Sequence, residues 1–450
     1  MRKVITFILA LCMSVSAVCA ESISKTIRSS KINPSAISVS VRDMKDGKVV
    51  YSWHEKSPMT PASTLKLVSI MGALNSLGED YEFSTSLYKS TNNDLYVKLG
   101  ADPFLSAYDL GTMFEAAVSK KITEPKRIYI DDSIFDSVEW GEGWQWDDEL
   151  NPLMQKFSAY NIDKNTLNII VAPKSGLNVP YISVKPYYPI NIMNLVSTDI
   201  NSGRNALSVE KNTIYTPNTI SVSGIVSSQA VENVPVPNPR VYFKMRLDDV
   251  IRKNKIIYSK SYPRAKTPSD KIYLVKEVKH PIKDAVTEVL KNSNNFIAET
   301  LFKLAGAKYC NATGTADNSY KMLDNYLTGL NVSADDIKIV DGSGVSKNNI
   351  MTADFMTDFL FKISADKNFE ILKSNMPIPG EGTLKTRMLY FKDSLRAKTG
   401  TLSDTSAIAG YITTRKGKVY AFDIMIKDPK TSMSDKKNLE EQVLRQIYMY

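Results

Sequence analysis
The chain of 450 residues has only two histidines and three cysteines, and that scarcity excludes a great deal. A His-rich zinc site cannot be built, H-E-x-x-H does not occur, and a serine–histidine triad could draw only on His54 or His280. Cys12 and Cys19 both fall in the first twenty residues, so a chain trimmed there keeps only Cys310 and no intrachain disulfide. Cys310 ends the mostly apolar run Ala305–Cys310 and reads as packing. Beyond the N-terminus no stretch approaches eighteen uncharged apolar residues. What remains is an ordinary globular composition, 43% hydrophobic and 23% charged, long enough for two or three domains.

The first twenty residues have the form of an export signal. Arg2 and Lys3 precede an apolar run from Val4 to about Val15, and Val18 and Ala20 are the small residues three and one before a cleavage ahead of Glu21. The net charge is +9, and segment 252–283 is strongly basic. A solvated face is the favoured reading of that segment. Salt-sensitive peripheral association with anionic envelope polymers is the functional alternative, and export argues against a nucleic-acid partner.

Alternating Ile37, Val39 and Val41, a turn at Asp46-Gly47, and alternating Val49, Tyr51 and Trp53 predict a β-hairpin. A run that is apolar nearly all round, from Ser63 to Leu77 and stopping at Gly78, predicts a buried helix with Ser63 at its N-terminus. From roughly 80 to 275, short β-like runs alternate with Pro, Gly and Asn turns. Helical patterns return over Ile282–Leu290, Asn295–Leu304, Asn318–Leu327 and Ala353–Ile363. A second hairpin follows over Ala407–Thr413 and Val419–Ile426, and a last helix carries Leu439, Val443, Leu444 and Ile447 on one face.

Three short motifs occur in order: Ser63-Thr64-Leu65-Lys66, Ser293-Asn294-Asn295 and Lys398-Thr399-Gly400. Singly each is weak. S-x-x-K begins also at Ser22, Ser86, Ser208, Ser364 and Ser434, and K-[ST]-G recurs at 174–176. Context separates Ser63, because only that copy opens a buried helix, with Lys66 nearly one turn above the serine. The same N-terminal turn offers free N–H groups to an oxyanion. Ser293 falls at a break between two helical runs, and Lys398 precedes Thr399-Gly400-Thr401 on a strand.

A serine hydroxyl needs a base, and neither histidine has the context to be one. Lys66 could serve if burial and a second cation, Lys398, lower its pKa. Ser293 could relay the proton between Lys66 and a leaving amine. Asn295 could hold a substrate amide, and Lys398 with Thr399 could receive a carboxylate. The backbone N–H groups of Ser63 and Thr401 would form the oxyanion hole, with Gly400 letting a ligand approach the strand. No metal or organic cofactor is called for.

The ordered set resembles the active-site serine penicillin-binding enzymes, whose signature is S-x-x-K, S-D-N and K-T-G. The gap of 230 residues from Ser63 to Ser293, with S-N-N and K-T-G-T, is similar to the class C low-molecular-mass members. Those are D-alanyl-D-alanine carboxypeptidases/endopeptidases of the penicillin-binding protein 4 type. Gly100-Ala101-Asp102-Pro103, Asp131-Asp132-Ser133, Ala298-Glu299-Thr300, Asp341-Gly342-Ser343-Gly344 and Gly382-Thr383-Leu384 agree with it. Val345 stands where the family usually has leucine.

The resemblance implies an α+β fold: a penicillin-binding, β-lactamase-like helix–antiparallel-sheet domain from 21–90 and 275–450, and an insertion, 91–274, of two smaller β-containing domains. It implies a periplasmic, cell-wall location. It also implies acylation of Ser63 by the penultimate D-Ala carbonyl of peptidoglycan stem peptides, deacylation by water, and covalent inhibition by β-lactams. A β-lactamase of the same fold and a non-catalytic wall-binding or β-lactam-sensing module are the alternatives.

Overall fold
The computed structural model describes residues 20–174, 176–211, 218–258 and 261–450. The expected export signal therefore lies outside the described residues, save for Ala20. The chain forms two compact units, one from residues through Tyr81 with 141–143 and 282–450, the other from 82–140 and 144–281.

The first unit opens with a helix through 20–29 (α1), the hairpin β1 (Ile37–Asp43) and β2 (Val49–Trp53), and α2 (Lys66–Leu77). The second unit follows with β3 (Glu82–Ser90), β4 (Leu95–Lys98), α3 (Ala107–Ser119), β5 (Ile128–Asp131), β6 (Thr166–Ala172), β7 (Tyr181–Lys185), β8 (Asn191–Thr198), β9 (Ala206–Lys211), β10 (Thr219–Val226), β11 (Ala230–Pro235), α4 (Pro239–Lys253) and β12 (Ile272–Pro281). The chain then returns to the first unit as α5 (Ile282–Lys291), α6 (Asn295–Cys310), α7 (Ala316–Gly329), α8 (Ala353–Lys362), α9 (Phe369–Asn375), β13 (Leu395–Thr401), β14 (Thr405–Thr413), β15 (Val419–Lys427) and α10 (Met433–Met449).

In the first unit the strands make one five-stranded sheet in the order β13-β14-β15-β1-β2, antiparallel throughout. Strand alternation divides its side chains between two faces. Val39, Val41, Ile408, Phe422 and Ile424 join Ile23 and Ile27 of α1 and Leu439, Val443 and Ile447 of α10 in one core. Each such buried side chain contributes roughly 1.5–3 kcal/mol. The opposite face receives α8, where Ser40 Oγ meets Thr357 Oγ1 at 2.7 Å and Tyr411 Oη donates to the Leu360 carbonyl at 2.8 Å.

Asp423, between Phe422 and Ile424 on β15, is fully buried, and neither carboxyl oxygen has a hydrogen-bond partner among the described residues. Burial first, and then the charge of Glu440, push its pKa well up, so the group holds a proton when folded. The unfolded chain gives up that proton above about pH 4. Stability from this site is therefore full at low pH and falls as pH rises toward the folded pKa. Asp423→Asn is expected to remove that slope: thermal unfolding should match wild type near about pH 4 and occur a few degrees higher near about pH 8.

Among the described residues the second unit holds three sheets, ordered β12-β3-β4-β5, β11-β6-β7 and β8-β10-β9. The expectation of two smaller domains meets a single apolar cluster here, running from Leu87 and Ile130 through Ile169 and Val234 to Val196 and Val222, with Phe114 of α3 and Phe243 of α4. Strands β3 and β12 pair from Ile272↔Ser90 to Pro281↔Glu82. That ladder carries 82–90 and 275–281 into the second unit, and the units divide at 81/82 and 281/282 rather than at 90/91 and 274/275.

The basic segment 252–283 spans the end of α4, a connection, β12 and the first residues of α5, with Lys260 outside the described residues. His280, which reads as part of a basic linker, sits on β12 with Nδ1 2.6 Å from Asp102 Oδ2. Cys310 closes α6 half-buried, its Sγ 4.0 Å from the Asn318 carbonyl.

Candidate active site
Ser63 lies in a short 3-10 turn, Ala62–Leu65, and the α-helix begins at Lys66, three residues later than the hydrophobic pattern suggests. Two features tighten this entry. Thr64 Oγ1 donates to the Pro61 carbonyl at 2.7 Å, and Ala62 takes a left-handed φ of 50°. Ser293, at the break between α5 and α6, is also left-handed at φ 58°, and the Asn294 side chain caps α6 by accepting from the Ile297 N–H. Backbone strain thus falls at or beside both motif serines, as it commonly does where geometry is fixed for function.

These elements bring the first motif and Asn295 together. Lys66 Nζ reaches Ser63 Oγ at 2.9 Å, Asn295 Oδ1 at 2.7 Å and the Ser343 carbonyl at 2.5 Å. Two of those partners can only accept. A neutral Lys66 amine satisfies both with its two N–H bonds, and its lone pair is left facing the Ser63 hydroxyl. Lys66 is fully buried, and burial lowers its pKa to about 7, against the opposing pull of Asp341 and Glu299.

Lys398 is also fully buried, on β13, and its Nζ donates to Ser293 Oγ at 2.8 Å and to the Thr399 carbonyl at 2.9 Å. In this arrangement Ser293 hydrogen-bonds the third-motif lysine. Burial, and then the Lys66 charge, hold Lys398 well below the usual lysine range, and burial leads for Lys66.

Of the strand residues expected at the site, Thr399 and Gly400 are buried and Thr401 is exposed. A Cβ on Gly400 would lie 2.8 Å from Ala62 Cβ and 2.9 Å from Ser63 N, so β13 can pass the serine turn only without a side chain there. Gly400→Ala is expected to push the turn off β13 and slow acylation of Ser63 by roughly a hundredfold, read as the second-order rate of penicillin labelling.

The turn after α7 was the part sequence reasoning underused. Ser343 reads as a turn serine near the cleft, yet its carbonyl holds Lys66. Glu299 and Asp341, given no role from sequence, are both buried and clamp that turn by its N–H groups. The one available signal was spacing: Glu299 follows Asn295 by four residues, one helical turn on the same face. His54 is exposed at the end of β2, and the second K-[ST]-G copy falls in a turn of the other unit, Leu177 N to Lys174 O at 3.1 Å, with residue 175 outside the described set.

A D-alanyl-D-alanine carboxypeptidase of Actinomadura sp. (strain R39) is 28% identical over 418 residues, covering 86% of this chain and 77% of the relative. The D-alanyl-D-alanine carboxypeptidase DacB of Haemophilus influenzae is 22% identical over 435 residues, covering 91% and 90%. The crystal structure of penicillin binding protein 4 from Haemophilus influenzae superposes with a TM-score of 0.81 at 22% identity, over 95% of this chain and 99% of that one. The α+β, penicillin-binding fold expected from the motifs is the fold of that structure. Residues 19–447 match the D-Ala-D-Ala carboxypeptidase 3 (S13) family, and the chain belongs to it.

Proposed function
We propose that this D-Ala-D-Ala carboxypeptidase works through an acyl-enzyme on Ser63, with Lys66 as general base. The observation that carries the reading is Lys66 Nζ 2.9 Å from Ser63 Oγ, with two other partners that can only accept, so that in the neutral amine the lone pair faces the Ser63 hydroxyl. The Ser63 proton passes to Nζ as Oγ bonds to the penultimate D-Ala carbonyl carbon. The carbonyl oxygen becomes an oxyanion between the Ser63 and Thr401 N–H groups. Collapse breaks the peptide bond, and the leaving amine takes up the Ser63 proton from Lys66 Nζ, with the Ser293 hydroxyl, held by Lys398, as relay, which returns Lys66 to its neutral form. Asn295 orients the substrate amide. Lys398, behind Ser293, supplies positive charge toward the terminal carboxylate with Thr399 and Thr401. Water then releases the acyl group by the same base.

The substrates in this reading are peptidoglycan stem peptides, both D-Ala-D-Ala ends and cross-links, since one acyl-enzyme serves carboxypeptidase and endopeptidase alike. β-Lactams present the same carbonyl to Ser63, and the Haemophilus influenzae penicillin binding protein 4 has been crystallised with one. Export to the periplasm through cleavage after Ala20 belongs to the same proposal; among the described residues no helix is long and apolar enough to cross a membrane. Incubation with monomeric and cross-linked muropeptides, followed by product analysis, tests the assignment. D-alanine or resolved cross-links should accumulate. Rapid turnover of a cephalosporin with neither product would favour a β-lactamase instead.

A further inference from the structure
Lys66 owes its geometry to one face of α6. Asn295, Glu299 and Lys303 follow one another at four-residue spacing and all three are buried. Asn295 touches Lys66 directly, whereas Glu299 acts one peptide away. Its carboxylate accepts the Gly342 N–H at 3.0 Å on each oxygen and the Ser343 N–H at 2.8 Å on Oε1. The same backbone is fixed from its carbonyl side. Ser69 Oγ, one turn beyond Lys66 on α2, donates to the Gly342 carbonyl at 2.6 Å, and Lys66 itself donates to the Ser343 carbonyl. Asp341 completes the turn by accepting from the Gly344 and Ser346 N–H groups at 2.8 and 2.7 Å.

We propose that Glu299 is a positioning residue for the reaction, holding the Gly342–Ser343 peptide so that the Ser343 carbonyl fixes the Lys66 amine against Ser63, and setting by its charge how readily that amine gives up its proton. This rests on the assignment of Ser63 and Lys66 above. Both N–H groups that Glu299 accepts from, those of Gly342 and Ser343, belong to one turn, and they converge on the peptide that touches the base.

The electrostatics support the geometry. Burial and the neighbouring Asp341 push Glu299 up to about 8, next to a Lys66 lowered to about 7. Burial thus moves carboxyl and amine toward one another, and the Glu299 carboxylate, when formed, favours the Lys66 ammonium. The other charged or titratable groups around them are Asp341, Lys303, Tyr320 and, beyond Lys66, Lys398.

The test is the second-order rate of penicillin acylation between about pH 5 and pH 9, with thermal unfolding as a check on folding. Glu299→Gln is expected to label Ser63 more slowly, by roughly ten- to a hundredfold, with its acid limb about one unit lower than wild type. Glu299→Asp keeps the charge but shortens the reach, and should be slower with the limb unmoved. A folded Glu299→Gln whose pH profile superimposes on wild type after scaling would overturn the proposal. If Glu299→Gln does not fold, Ser69→Ala loosens the same peptide without changing charge. It should slow acylation without moving the limb, and a wild-type rate in it overturns the proposal equally. Absence of a Ser63 adduct in wild type would instead sink the underlying assignment.

Discussion
Ser63→Ala is expected to abolish covalent labelling by penicillin and to lower kcat/KM for D-alanine release by on the order of 10⁴-fold or more. The loss is large because in the proposed mechanism the hydroxyl is the atom that bonds to the substrate, and no other described nucleophile shares its position against Lys66. The fold should persist. Ser63 is only partly buried, its side chain is not part of the apolar core, and the 3-10 turn is closed by the Thr64 side chain on Pro61 and by backbone carbonyls rather than by the Ser63 hydroxyl. Circular dichroism and Tm close to wild type, with acylation gone, are the expected pair of readings. Residual labelling elsewhere in the Ser63→Ala protein at the wild-type rate would contradict it.

Lys66→Met should be nearly as damaging, on the order of 10³-fold or more, because the substitution keeps the buried stem and removes the proposed base. Nucleophile and base act as a unit, so the double variant should be little worse than either single one. The wild-type acylation rate should rise as pH increases through about 7, where Lys66 loses its proton, and Lys66→Met should lack that rise. The same group also marks stability. Its folded pKa lies below the roughly 10.4 of an unfolded lysine, so between about 7 and about 10 the unfolded chain holds a proton that the folded one has released. Stability from this site therefore increases with pH across that window, and Lys66→Met should flatten the increase in a series of thermal unfolding curves.

Much of this site was legible from local pattern. Strand alternation and the Asp46-Gly47 turn located β1 and β2, and the apolar run to Leu77 located α2, because hydrophobic periodicity is written into neighbouring residues. The ordered motifs named Ser63, Lys66, Ser293, Asn295 and Lys398, and the fold brings them into two hydrogen-bonded groups. What stayed hidden depends on residues far apart in the chain. The acceptor for Lys66 at Ser343 lies 277 positions away, and Asn295 lies 229 away. The pairing of Ser293 with Lys398 instead of Lys66 is set by where β13 passes the α5–α6 break, which no spacing records. The 3-10 entry at Ser63 depends on the left-handed Ala62, a residue type that gives no warning of positive φ. The unit boundary follows from the β3–β12 ladder, formed by two segments that each looked continuous with the catalytic part of the chain.

The scarcity of histidine acquires a meaning in this setting. A serine hydrolase with one histidine exposed at the end of β2 and the other paired with Asp102 in the second unit needs another base, and a buried lysine with a pKa near neutrality can be one. The most direct measurement is peptide mapping by mass spectrometry after folded wild-type protein is incubated with penicillin. The account predicts a single penicilloyl adduct on the peptide that contains Ser63. An adduct on a different residue, or none while the protein remains folded, would contradict it.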